Sequence, residues 1–138
     1  MDKILPFERK VNYYETDKMG IIHHANFIKW MEEARVEFLD SIGWNFAKIE
    51  EAGIFSPVVG LNIEYRKQVQ FEDRVEIRLS ILRYNGTILE LEYEFVDLTK
   101  GDYCAKASSR HVFIKDDQLV SLRRVLPEMD EKIRELKE

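Results

Sequence analysis

Cysteine is almost missing from this chain: Cys104 is the single one in 138 residues. No internal disulfide can form, so stability must come from an apolar core, and a reducing compartment is expected. No run of eighteen apolar residues occurs, which excludes a helical membrane span. The opening Met1-Asp2-Lys3-Ile4-Leu5-Pro6 lacks the apolar segment of a secretory signal, so a cytoplasmic location is expected. Positive charge is in deficit, with 21 Lys and Arg against 26 Asp and Glu. A broad nucleic-acid surface needs accumulated cations and is excluded, although a local basic pocket for a phosphorylated small molecule is not. Two chemical signatures are also missing. There is no Gly-x-Ser-x-Gly elbow and no glycine-rich phosphate cradle.

What remains is enough for one domain over residues 1–138 with a single core. Phe7 to Tyr13 reads as a strand with Phe7, Val11 and Tyr13 on one face, interrupted by Arg9. Residues 15–24 carry too little periodicity for either element and read as a loop. From Asn26 the spacing turns helical: Phe27, Trp30, Met31, Ala34, Phe38, Leu39 and Ile42 share one face. Asn26 fits the N-cap, and Gly43 fits the left-handed residue that ends the helix. Asn45 to Ala52 suggests a second, short helix.

Four strand patterns follow: Val58–Val69, Arg74–Arg83, Thr87–Leu98 and Tyr103–Ile114. In the third, Leu89, Leu91, Tyr93 and Phe95 oppose Glu90, Glu92 and Glu94. Parity selects a three-residue loop, Tyr84-Asn85-Gly86, setting Leu79 opposite Leu91 and Ile81 opposite Leu89, with Gly86 left-handed. The small residues Ala105, Ala107, Ser108 and Ser109 suit close approach by another backbone or a ligand. Asp116-Asp117 reads as a turn, and Pro127 as the first residue of a C-terminal helix. Strand, long helix, then a meander of strands points to an α+β fold, one antiparallel sheet wrapped on one main helix.

The chemistry concentrates in residues 13–27, where strand gives way to helix. Asp17 is the leading acid. A loop aspartate ordinarily caps a turn, but Gly20 allows close backbone approach and the coming helix supplies unpaired donors. A carboxylate there can attack a carbonyl or activate water, while amides and the positive dipole end receive the oxyanion. His24 is placed to donate to a carbonyl or orient Asp17. His23 and His24 are adjacent and so poor joint metal ligands. Adding Asp17 and Glu32 or Glu33 gives no known ligand spacing, and no metal or other cofactor is expected. Glu32 and Glu33 read as solvated charges, and Arg35 as a partner for a buried acid. Cys104 and His111 lie seven apart on one strand pattern, on opposite faces, which argues against a dyad. Arg66, Lys67 and Arg110 are the best-placed cations for a ligand's phosphates.

These residues form a pattern. Tyr13-x-x-x-Asp17-x-x-Gly20, His24-Ala25-Asn26-Phe27 and Trp30-Met31-Glu32-Glu33-Ala34-Arg35, together with Leu61 to Lys67 running into Phe71-Glu72-Asp73, resemble the hotdog-fold acyl-CoA thioesterases. The likeness is to the 4-hydroxybenzoyl-CoA thioesterase type, in the branch associated with the Tol–Pal cluster, and covers nearly the whole chain. It implies a hotdog fold and hydrolysis of acyl-CoA to acid and coenzyme A. It implies Asp17 as the catalytic carboxylate, nucleophile or general base, assisted by His24 and Tyr13. Gly20, Asn26, Arg66, Lys67 and Arg110 become the expected substrate contacts. A homodimer or homotetramer is implied, with sites at the dimer interface. His23 departs from the tyrosine common in that branch. The alternatives are a non-catalytic acyl-CoA-binding hotdog module, against which Asp17 stands, and a dehydratase or isomerase, whose helix residues are not found.

Overall fold

The computed structural model describes residues 4–17, 20–22 and 24–137. In chain order the elements are β1 (Phe7–Lys10), a 3-10 turn (Tyr13–Glu15), α1 (Asn26–Ser41), α2 (Phe46–Glu51), β2 (Ile54–Phe55), β3 (Val58–Tyr65), β4 (Arg74–Tyr84), β5 (Ile88–Asp97), β6 (Asp102–Val112), β7 (Ile114–Lys115), β8 (Gln118–Leu119), α3 (Leu122–Val125) and α4 (Pro127–Lys137). Five strands make one antiparallel sheet in the order β1-β4-β5-β6-β3, and β2, β7 and β8 make a small second one. Among the described residues no helix is long and apolar enough to cross a membrane.

The main helix forms where the apolar spacing puts it. Phe27, Trp30, Met31, Ala34, Phe38 and Leu39 are buried, and the Phe27 ring meets Phe95 of β5 edge-on at 5.1 Å. Each such large side chain contributes on the order of 2 kcal/mol by leaving water. On β4 and β5, Val75, Ile77, Leu79, Leu89, Leu91, Tyr93 and Phe95 point into the same core. Glu90 and Glu92 face outward, paired with Arg110 and Lys106 of β6. Gly43, at φ +84°, ends α1: its amide reaches the Asp40 carbonyl, and the Trp44 amide reaches Leu39. That is the Schellman closure expected of a glycine at this point. Asn45 caps α2, its side chain accepting from the Lys48 amide at 2.9 Å.

Several boundaries differ from the sequence reading, each for a local reason. β1 stops at Lys10, and Tyr13 lies in the 3-10 turn, not on the strand. The break in alternation at Arg9 marks this, because Arg9 points inward to meet a buried acid. β3 ends at Tyr65, well before Val69, where the chain leaves the sheet to brace the loop holding Asp17. Asn26 is the first residue inside α1 and not its cap; Ala25 holds the cap position. The β4–β5 register pairs Leu79 with Tyr93 and Ile81 with Leu91, two residues from the expected match. Face parity is preserved. The extra residue is Leu82, which bulges out of β4 between Ile81 and Arg83, while Asn85 closes the loop by accepting from Thr87 and Ile88. Gly86 does take positive φ, +95°, and a Cβ there would stand 2.8 Å from Ser121 Oγ.

The strand of small residues serves the interior. Ala105 and Ala107 are buried against this chain's own core on a strand flanked by β5 and β3, while Ser109, also buried, reaches a cavity beside α1. A bulge opposite Phe95–Val96 also turns Cys104 inward, against the simple parity argument. The dyad fails all the same. Cys104 Sγ meets the Phe95 carbonyl, His111 Nε2 meets Ser109, and burial pushes the thiol up to about 12.

Candidate active site

Asp17 sits at the root of a tight reversal between two short antiparallel contacts. Its amide donates to the Ile21 carbonyl at 2.8 Å, its Oδ1 accepts from the Ile21 amide at 3.3 Å, and Gly20, at φ +73°, donates to its carbonyl at 3.1 Å. Thr16 bridges to Ile22, and Ile21 to Gln70. The Ile22 amide donates to Val69 and the Phe71 amide to Gly20, so residues 68–73 splint this loop from outside. Backbone pairing, not packing, therefore fixes where the carboxylate stands.

A cavity of about 320 Å³ opens beside it, lined among others by Asp17, His24, Phe27, Tyr65, Arg66 and Lys67. His24 precedes α1. Its carbonyl accepts from the Tyr65 hydroxyl at 3.0 Å, and its ring meets the Tyr65 ring edge-on at 5.8 Å. Arg66 and Lys67 are more than half exposed, in long ion pairs with Glu64 (4.0 Å) and Asp102 (3.4 Å). Such surface pairs contribute little and exchange readily for a phosphate.

The other expected residues are placed elsewhere. Tyr13 does not line this cavity; its exposed ring lies edge-on to Phe71 at 5.5 Å. Asn26 is buried, its amide group donating to the Glu15 carbonyl at 2.8 Å, which ties α1 to the loop and turns the side chain away from a ligand. Arg110 is on the outer face of the sheet, paired with Glu90 at 3.2 Å. Its even spacing from the outward glutamates dictates that side. His23 lies outside the described residues. Among the described residues no group of three His, Cys, Asp or Glu stands close enough to hold a metal ion.

Two supports escaped the sequence reading. The first is Glu15, two residues before Asp17 and buried. It accepts from Arg9, from Trp30 Nε1 at 2.8 Å and from the Asn12 amide at 2.8 Å, and Arg9 also reaches Glu33 at 3.1 Å. An inward Arg9 on an otherwise apolar strand face was the available signal, since a buried cation demands a buried anion. The second is a carboxyl pair beneath residues 68–73. Asp73 accepts from the Gln70 amide and from Lys100, while Asp97 Oδ1 accepts from the Thr99 and Lys100 amides. Asp97 Oδ2 is buried beside Asp73 and has no hydrogen-bond partner among the described residues. Burial and the adjacent Asp73 push Asp97 up to about 6.

A carboxyl raised on folding binds more protons folded than unfolded, so its contribution is complete below the ordinary carboxylate range and is lost as pH rises through about 6. Asp73 is shifted down by its hydrogen bonds and by Lys100, which opposes this at lower pH. Asp97→Asn keeps the Oδ1 acceptor and supplies a permanent N–H toward Asp73. We expect it to raise the melting temperature at pH 8 and leave it nearly unchanged at pH 5; scanning calorimetry at the two pH values checks this.

A helix wrapped by an antiparallel sheet, with an acid and a histidine where the helix begins, defines a hotdog protein with an acid–histidine site. The chain belongs to the thioesterase-like superfamily, whose family description matches residues 11–136. It is 32% identical over 123 residues to the "Putative acyl-CoA thioesterase YneP" of Bacillus subtilis, covering 88% of each chain. Its fold matches a DHNA-CoA thioesterase from Staphylococcus aureus at TM-score 0.88 and 31% identity, covering 94% of this chain and 88% of that one. It also matches a hypothetical protein of Aquifex aeolicus at TM-score 0.86 and 29% identity, covering 94% and 98%.

Proposed function

We propose that this protein hydrolyses acyl-CoA thioesters, with residues 1–138 acting as a single hotdog domain and Asp17 as nucleophile or general base. One observation carries the reading: Asp17 and His24 share one cavity with two exchangeable cations, Arg66 and Lys67. The cations suit the phosphates of coenzyme A, and the apolar Phe27 and Ile22 suit the arm between them and the thioester. Of the α1 amides, Phe27 and Ile28 already donate to His24 and Ala25, and the Asn26 amide, for which no acceptor stands among the described residues, is the donor proposed for a developing oxyanion. The names of the relatives, an acyl-CoA thioesterase and a DHNA-CoA thioesterase, agree with this chemistry. The 4-hydroxybenzoyl-CoA type and the Tol–Pal-associated branch are a finer placing, supported by Asp17-x-x-Gly20 and His24-Ala25-Asn26-Phe27. Thiol release from a panel of acyl-CoAs tests the reading, and a folded protein that releases none refutes it.

The working unit is a homodimer. β3 is the edge of the sheet, and it exposes Val58, Val59, Leu61 and Tyr65, with Ile28 of α1 beside them. An unprotected apolar edge invites another strand, and a second copy of β3 satisfies it by two-fold pairing. The other edge, β1, is short and carries Glu8 and Lys10, which protect it. Light scattering should give a dimer or a pair of dimers. Leu61→Lys should shift it toward monomer, whereas an active wild-type monomer would dismiss this interface.

A further inference from the structure

A second cavity, of about 190 Å³, opens between α1 and β3, one to two helical turns beyond the first. Its walls are apolar, from Ile28, Met31, Val58 and Leu61, but its floor is not. Arg35, Tyr93, Ser109 and His111 all reach it, and none belongs to the Asp17 cavity.

Arg35 is only 7% exposed, yet among the described residues no carboxylate comes within ion-pair range of it. Its Nη1 makes one long contact, 3.5 Å, to the Ser56 carbonyl, and its guanidinium lies 4.9 Å from the Phe46 ring centre. Glu32, on the rim, is exposed. A guanidinium taken from water and left without an anion is costly, and the cost is relieved when an anion enters.

Beside it, Tyr93 Oη is 2.7 Å from Ser109 Oγ, which is 2.7 Å from His111 Nε2. Burial and the Arg35 charge hold His111 neutral, down at about 3. A neutral ring carries one proton. With it on Nδ1, Tyr93 donates to Ser109, Ser109 donates to Nε2, and every hydroxyl proton is used. The opposite tautomer strands the Tyr93 proton and leaves Nδ1 bare. The first arrangement is therefore the stable one, and it leaves Nδ1–H buried and, among the described residues, without a partner. The floor thus carries a guanidinium that asks for an acceptor.

In the proposed dimer the two-fold pairing of β3 sets what this cavity adjoins, and the inference rests on that pairing. With the axis at the middle of Val58–Tyr65, the Val58 end of one subunit faces the Tyr65 end of the other. The Asp17 cavity lies at the Tyr65 end and this cavity at the Val58 end. Each therefore continues the Asp17 cavity of the second subunit.

We propose that this cavity receives the far end of the acyl group, and that Arg35 selects acyl chains ending in a carboxylate. The inference rests on the thioesterase reading and adds its substrate class. A volume equal to roughly six waters holds a short tail of about four to six heavy atoms. Methylenes meet the apolar walls, and the carboxylate accepts from Arg35 while neutralising the guanidinium.

The test compares glutaryl-CoA with pentanoyl-CoA, five-carbon acyl groups that differ in the terminal carboxylate, on the full-length dimer. The expected kcat/KM ratio favours glutaryl-CoA by at least tenfold. Arg35→Met should abolish that preference while leaving pentanoyl-CoA within about threefold of wild type. A wild-type ratio near one overturns the proposal, as does an Arg35→Met variant that slows both esters equally. Should Arg35→Met not fold, the wild-type ratio decides alone. If neither ester is cleaved, the thioesterase reading fails separately. The carboxylate site then stands on free glutarate shifting the Arg35 Nε–Hε NMR signal, and falls if that signal does not move.

Discussion

Asp17→Asn is expected to lower acyl-CoA hydrolysis by at least about a hundredfold, the lower end of what a positioned acid or base contributes. Asparagine preserves the shape and can keep the Oδ1 contact to the Ile21 amide, so the reversal should persist. What is lost is the negative charge, without which the group can neither attack the thioester nor take a proton from water. The fold should survive, because backbone bonds from Val69 and Phe71 also hold the loop. His24→Ala should cost less, since His24 lines the cavity but makes no bond to the acyl group in either mechanism. Tyr13→Phe should cost least: its ring faces Phe71 and its hydroxyl does not line the Asp17 cavity. Steady-state kinetics with a thiol reagent, beside circular dichroism for each variant, measures the series. A folded Asp17→Asn protein hydrolysing at near wild-type rate would remove Asp17 from the chemistry and favour a binding module, or another acid.

The parts of this molecule that follow from periodicity were legible in its sequence. The apolar stripe from Phe27 to Leu39 could only be a helix, and the alternation from Leu89 to Phe95 could only be a strand with one wet face. Gly43, Gly86 and Pro127 marked ends and turns because few other residues suit those backbones. Register was less accessible. The β4–β5 match lies two residues from the expected one and changes by one across the Leu82 bulge, and a bulge leaves no compositional trace when both faces around it carry apolar side chains. The site divided along the same line. Asp17, His24, Arg66 and Lys67 are close in space because the strand after Tyr65 leaves the sheet and returns past the loop, which the motif pattern implies but spacing alone does not. Arg110 was chosen for its charge, and strand parity with Glu90 sends it to the other face. The buried ionic groups, Glu15 and the Asp73–Asp97 pair, depend on contacts between distant segments. Only the inward Arg9 hinted at one of them.

That hint leads to the largest expected effect on stability, at Glu15. Its carboxylate is buried against Arg9, Trp30 Nε1 and the Asn12 amide, and so joins β1, the turn before Asp17 and the core face of α1 at one point. Glu15→Gln keeps an acceptor for the tryptophan but removes the charge, leaving the Arg9 guanidinium, 11% exposed and lying over the Trp30 ring at 4.8 Å, with a neutral partner. Removing one member of a buried ion pair costs about 3–5 kcal/mol. The Arg9 contact to Glu33 survives, so the lower end applies, about 3 kcal/mol, or a melting temperature lowered by about 10 °C for a chain of this size. Glu33→Gln is the control. Glu33 is 44% exposed, and losing its pair should cost less than about 1 kcal/mol. Activity should fall with Glu15→Gln even well below its melting temperature, because the turn that aims Asp17 loses its anchor while the acid remains. Urea unfolding and kinetics on the two variants separate these effects. Glu15→Gln unfolding within 1 kcal/mol of wild type would show that backbone pairing alone holds the Asp17 loop.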